Sequence, residues 1–165
     1  MPASLFNNLP AELRLLNQWV LWKYDDIGAS KPTKVPYQPN GKLASSVEPS
    51  TWSSFDNVFI AFSMGGYSGV GFMFSRNDPY TFIDLDDAEG DDAILQRHLK
   101  VYHEFDTYAE VSPSGKGLHL ICKGTVPAGR RRSKIEIYPH ERYATMTGNV
   151  YQNRNTINDC QSQLQ

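Results

Sequence analysis

Two aspartates one residue apart stand in Phe82-Ile83-Asp84-Leu85-Asp86-Asp87. If this run is a strand, Asp84 and Asp86 project from one face and Ile83 and Leu85 from the other. Paired carboxylates repel unless a cation lies between them or one is protonated. Mg²⁺ takes one or two carboxylates together with substrate phosphates. The pair also suits an acidic strand end that caps the next helix. Downstream, Ser112-Pro113-Ser114-Gly115-Lys116-Gly117-Leu118-His119 is Gly-rich. Such a turn lets backbone N–H groups approach phosphate, with Lys and Ser adding charge and hydrogen bonds. It is not a P-loop, because Gly117 follows Lys116 where that pattern needs Ser or Thr and a helix start. His119 is positioned to donate to a phosphate. A plain hairpin turn with a hydrogen-bonded histidine is the simpler alternative. In Lys134-Ile135-Glu136-Ile137-Tyr138, alternation sets Glu136 on the face opposite the two isoleucines. It is either a third carboxylate for the aspartate pair or a solvent-facing side chain. Arg142 offers a planar fork for phosphate or carboxylate. Arg130, Arg131 and Arg132 form a basic run suited to a nucleic-acid backbone, a composition equally common in solvated loops.

The elements that must position these groups follow from local patterning. Asn7 to Leu16 reads as a short helix with Pro10 in its first turn. Gln18 to Tyr24 is aromatic and β-branched and reads as a strand. Asp25 to Ser50, with four prolines, reads as a long irregular connection. Ser50 is the expected cap of a helix over Thr51 to Met64, closed by Gly65-Gly66. Strands are expected at Val70 to Phe74, Thr81 to Leu85, Thr107 to Val111, Leu118 to Cys122, Lys134 to Tyr138 and Tyr143 to Thr147, with a helix over Asp91 to Phe105. This order argues an α+β fold with a mixed or antiparallel sheet. A βαββαβ unit can be drawn from Trp19 to Cys122. From Val150 onward, seven of the last sixteen residues are Asn or Gln, the composition of a frayed end or a linker.

The chain has 165 residues, 40% of them hydrophobic and 21% charged. That is one domain with a core that needs no staples. Two distant cysteines exclude a disulfide framework. No apolar run is long enough to cross a bilayer and no secretion signal opens the chain, so a cytoplasmic location is expected. Net charge is −2, yet Asp84, Asp86, Asp87, Glu89, Asp91 and Asp92 crowd one stretch, and the remainder without them stands at +4. A mildly basic surface around one acidic spot suits a metal site that handles phosphates.

The order of these motifs is more specific than any one of them. Asp-x-Asp, Ser-x-x-Gly-x-Gly-x-His, a strand Glu, then Arg-Tyr-x-Thr-x-Thr-Gly resembles the primase–polymerase domains of phage and plasmid replication proteins. These domains are members of the archaeo-eukaryotic primase superfamily. Trp19 to Lys23, Lys31 to Tyr37, Asn40 to Ser46 and Gly69 to Phe74 resemble the same family. The resemblance spans about Gln18 to Tyr151. It implies a core like an RNA-recognition motif, that is ferredoxin-like, flanked by helices. It implies a catalytic domain over 1–150, followed at 151–165 by a polar tail or the start of a linker. It further implies template-directed nucleotidyl transfer with Mg²⁺ or Mn²⁺ held by Asp84, Asp86 and Glu136. Ser112, Ser114, Gly115, Lys116, Gly117, His119 and Arg142 would bind the nucleotide. Lys31 and Lys34 would contact nucleotide or template, and Arg130, Arg131 and Arg132 a nucleic-acid backbone. The implied partners are a single-stranded DNA template, a primer strand, deoxynucleoside or nucleoside triphosphates, and a downstream helicase module in the longer protein. The implied host is a bacterial or archaeal cell carrying a mobile element.

Two other functions remain compatible with the residues. One is a module that binds single-stranded DNA or nucleotide with little catalysis, using aromatic stacking and the arginine run. The other is a metal-dependent nuclease or nucleotide hydrolase that uses water as nucleophile at the same carboxylates.

Overall fold

β1 (Trp19–Asp25) begins with four buried residues and opens toward solvent at its end. Its neighbour β3 (Gly69–Phe74) is buried at all six positions, as its unbroken apolar run requires of a strand covered on both faces. With β2 (Thr33–Tyr37) and β9 (Arg142–Met146) they form a four-stranded antiparallel sheet in the order β2-β1-β3-β9. This computed structural model describes residues 3–25 and 32–165. A 3₁₀ turn at Ala3–Asn8, the short helix α1 (Ala11–Arg14) and α2 (Phe55–Ser63) supply Phe6, Leu13 and Val58 to the core beside this sheet, and Leu9 joins them from the link before α1. Gly71 is needed for packing: a Cβ there would lie 2.7 Å from the Tyr143 ring of β9.

The second sheet has five strands in the order β5-β6-β4-β8-β7, again wholly antiparallel between neighbours. These are β4 (Tyr80–Leu85), β5 (Tyr108–Val111), β6 (Leu118–Lys123), β7 (Arg130–Arg132) and β8 (Ile135–Tyr138). Helix α3 (Asp92–Phe105) connects β4 to β5. Both strands are antiparallel to the β6 between them, so they run parallel to each other, and β4-α3-β5-β6 is a split βαβ unit. Asp91 caps α3 through Ala93 N and Ile94 N, and Asp106 ends it in the left-handed region. One face of the sheet sends Phe82, Tyr108 and Ile121 into the first core. The other sends Ile83, Leu85, Leu120 and Cys122 into a second core with Tyr102 and Phe105 of α3.

The α+β class and the antiparallel sheets agree with the sequence pattern, and several details differ. The unit drawn from Trp19 to Cys122 is divided between two sheets. Ser75 N and Tyr80 N donate to the Asp78 carboxylate, which pins the turn where the chain leaves the first sheet for the second. β2 lies within the stretch read as irregular. It is an edge strand, where Pro36 removes no ladder bond. Helix α2 starts at Phe55, and its cap is Ser54 rather than Ser50. Pro49–Thr51 forms a 3₁₀ turn whose Thr51 hydroxyl bonds the Ser45 and Glu48 carbonyls. The Asn/Gln-rich end does not fray. Val150–Leu164 runs along β5 and β6, Cys160 and Leu164 of its last turn, α4 (Gln161–Leu164), are buried, and Cys160 N donates to Lys123 O. Its few apolar side chains are anchors, Ile157 in the first core and Cys160 and Leu164 in the second. Composition averages over those anchors.

Candidate active site

Five strands place five polar residues on one rung. Glu110 of β5 pairs with His119 of β6, His119 with Asp84 of β4, Asp84 with Glu136 of β8, and Glu136 with Arg131 of β7. Residues directly opposite each other share a face of the sheet. The sheet therefore presents Glu–His–Asp–Glu–Arg in a single row. His119 Nδ1 lies 3.4 Å from Glu110 Oε2 and His119 Nε2 lies 3.9 Å from Asp84 Oδ1. Arg131 Nε lies 3.3 Å from Glu136 Oε1. Strand alternation lines up residues from five separate segments, and no sequence spacing records it.

Asp84 is the electrostatic centre of the row. Burial pushes its carboxyl above the ordinary aspartate range. His119 opposes that shift, Asp86 and Glu136 add to it, and Lys34 opposes it again. Asp86 lies just past the end of β4, exposed, with its amide donating to Lys134 O and its carboxylate accepting from Asp87 N. The two carboxylates in closest register are thus Asp84 and Glu136. Among the described residues no three His, Cys, Asp or Glu side chains gather as a ready-made metal cage.

Asp84 and His119 line a cleft of about 650 Å³ with Phe82 and Tyr138 on the same sheet, Lys34 and Pro36 from β2, Ser45 and Ser46, and Arg142, Tyr143 and Thr145 from β9. Phe82 lies parallel to Tyr138 and edge-on to His119. The Arg142 guanidinium sits 3.9 Å over the Tyr138 ring, a stack that holds its donors at the cleft mouth. A second cavity shares Tyr138 and Arg142 and continues to Glu136, Arg130 and Arg131. Arg131 shares Glu136's face. Arg130 and Arg132 pair with Ile137 and Ile135 and take the other face, so the basic run is split by the sheet.

The Gly-rich turn does not join this cleft. Lys116 and Gly117 line a separate cavity with Asp86 and the start of α3, and Ser112 lines another beside Trp22 and Tyr24. Its amides are occupied internally. Gly115 N donates to Ser112 O, Lys116 N to Ser114 Oγ and Gly117 N to Ser112 Oγ. A Cβ on Gly117 would lie 2.6 Å from Leu85 O, so only glycine lets the turn pack on the end of β4. The structure thus brings together Asp84, Glu136, His119, Arg142, Lys34 and Arg131. It keeps Ser112, Ser114, Gly115, Lys116 and Gly117 at the neighbouring edge. Lys31 lies outside the described residues. Sequence reasoning missed Glu110, Phe82, Tyr138 and Tyr143. An acid inside the strand Tyr108-Ala109-Glu110-Val111 was the available signal for the first.

No family model matches the chain. Over 152 residues, covering 86% of the chain, it is 36% identical to a protein of Nitratiruptor phage NrS-1 described as a DNA primase-polymerase. This chain is a relative of a phage primase–polymerase. The resemblance read from the motif order is thereby borne out across most of the length. The chain spans 20% of that phage protein. Among the described residues no helix is long and apolar enough to cross a membrane.

Proposed function

We propose that this chain is a primase–polymerase catalytic unit, transferring nucleotides to a DNA strand on a single-stranded template. The observation that carries the reading is the rung that sets Asp84 between His119 and Glu136, in a chain related to a phage primase–polymerase. The donor set suits a hard cation. Asp84 and Glu136 are adjacent carboxylates that repel each other, only partly offset by His119, Lys34 and Arg131, with Asp86 close by. Mg²⁺ completes its shell with water and substrate phosphate rather than demanding an all-protein cage. In this proposal Asp84, Asp86 and Glu136 hold Mg²⁺ or Mn²⁺. When bound, such an ion lowers the pKa of the attacking hydroxyl and neutralises charge on the phosphate.

The chain's own groups then have defined tasks. His119, directed at the cleft through Nε2, donates to a triphosphate oxygen. Arg142, stacked on Tyr138, offers a planar fork to the same triphosphate or to Glu136. Lys34 adds positive charge from the opposite wall. A 3′-hydroxyl attacks the α-phosphorus in line, the bond to the β-phosphate oxygen breaks, and pyrophosphate leaves. Template and primer strands reach the cleft from the side of Arg131. In the longer protein a helicase module is the expected companion, and a mobile element the expected source.

Primer extension with deoxynucleoside triphosphates and Mg²⁺ or Mn²⁺, beside Asp84→Ala/Asp86→Ala, tests this. Metal-dependent lengthening lost in the variant is expected, and an unprimed lane reads initiation. Shortened DNA instead would indicate a hydrolase. The second reading, a module that binds single-stranded DNA or nucleotide, is favoured by one observation: the three carboxylates are not gathered into a cage. Tight binding without lengthening would support it.

A further inference from the structure

Glu110 is the one fully buried acid among the described residues, with no solvent exposure, and the proposed reaction gives it no task. A buried carboxylate is costly unless it is hydrogen-bonded. Glu110 meets that condition. Its Oε1 accepts from Tyr108 OH at 2.7 Å and Gly148 N at 3.2 Å, and its Oε2 accepts from Thr147 N at 2.7 Å. Oε2 also faces His119 Nδ1 at 3.4 Å, an ion-pair distance without hydrogen-bond alignment. His119 is itself 6% exposed, and its Nδ1 has no other partner among the described residues. A buried ring nitrogen facing a carboxylate is satisfied by donating to it.

We propose that Glu110 is a positioning residue for His119. Donation from Nδ1–H to Glu110 fixes one tautomer and one ring orientation, which leaves Nε2 directed at Asp84 and the cleft. With Nδ1–H held by Glu110, the ring that donates Nε2–H to a phosphate oxygen is doubly protonated, and the buried carboxylate both orients that ring and stabilises its charge, as the acid does for histidine in the Ser-His-Asp triad, a support that a glutamine cannot give. The same carboxylate is bonded to the amides of Thr147 and Gly148, just past the end of β9. It therefore ties His119 on the second sheet to the segment leaving the first. The inference rests on the reading that the cleft accepts a nucleoside triphosphate through His119.

The test is long-range ¹H–¹⁵N correlation of the His119 ring, on metal-free protein above the imidazole titration range. The parent protein is expected to show the Nδ1–H tautomer, and Nε2–H there would overturn the proposal without any variant. Glu110→Gln keeps the shape and turns an NH₂ toward Nδ1, so the expected result is a switch to Nε2–H. The KM for the incoming nucleotide should rise about 10- to 100-fold, the usual cost of losing an orienting partner, with a smaller change in kcat. Tyr108→Phe removes one bond to Glu110 without touching His119 and should keep the parent tautomer. A folded Glu110→Gln with an unchanged tautomer and only a lower melting temperature would make Glu110 a strut between segments and nothing more. If the parent protein adds no nucleotide while the tautomers switch as expected, the catalytic reading fails and the Glu110–His119 coupling stands.

Discussion

Asp84 and Glu136 lie directly opposite each other on the β4–β8 ladder, two carboxylates in register. Arg131 reaches Glu136 from the outer strand and His119 approaches Asp84 from the inner one. The charge of the pair is thus compensated in part from its flanks, and the proposed metal and phosphate would complete that compensation.

Asp84→Asn should abolish nucleotide addition and stabilise the metal-free protein at neutral pH. Burial raises the Asp84 carboxyl, and Asp86 and Glu136 raise it further. A raised folded-state value makes ionisation costly to the native state as pH rises through it, whereas below the unfolded-state value the group is protonated in both states. The gain is therefore largest at neutral and alkaline pH and fades as pH falls through the carboxylate range. Relief of about 1 kcal/mol corresponds to about 2–4 °C in a domain this size. Thermal melts in chelator across a pH series read it. A lower melting temperature at neutral pH would show Asp84 to be a structural acceptor instead.

Gly117→Ala should cost about 1–3 kcal/mol, because the added methyl meets the Leu85 carbonyl and neither backbone can yield easily. Urea unfolding measures the loss. Nucleotide affinity should fall as well, since the turn leads directly into the strand that carries His119.

Arg131→Gln should weaken binding to a primed template and lower the salt slope by about 0.9, the value for one lost phosphate contact. Arg132→Gln, on the opposite face, should change nucleotide addition less. Equal effects from the two would mean that the DNA path follows the strand edge rather than the Glu136 face.

Leu164→Ala should cost about 2–3 kcal/mol. The side chain is 4% exposed and packs in the second core, close to Gly124. A frayed end would lose less than about 0.5 kcal/mol. Denaturant midpoints distinguish the two.

Local pattern was enough for the strands around Trp19, Val70, Thr81, Leu118 and Tyr143 and for the helix after Asp91. In each, consecutive residues carry the signal, as a short apolar run in the strands and as helical spacing in the helix. It failed where the signal was composition rather than period. Pro36 obscured an edge strand, three arginines concealed β7, and polar residues masked Ile157, Cys160 and Leu164 as anchors. Asp84, Glu136, His119 and Arg142 were legible as candidates because residue type and motif order survive without coordinates.

By itself the sequence determined the α+β class, the kinship with primase–polymerases and the identity of most polar groups facing the cleft. Which of them meet is set by the way the strands pair. Register between strands distant in the chain is set by packing of whole faces, and a one-residue slip would turn every side chain to the other side. That register put Glu110 behind His119, Glu136 opposite Asp84 and Arg131 beyond it, and it divided Arg131 from Arg130 and Arg132. It also kept the Gly-rich turn apart from the cleft, because the turn's amides found partners within the turn itself.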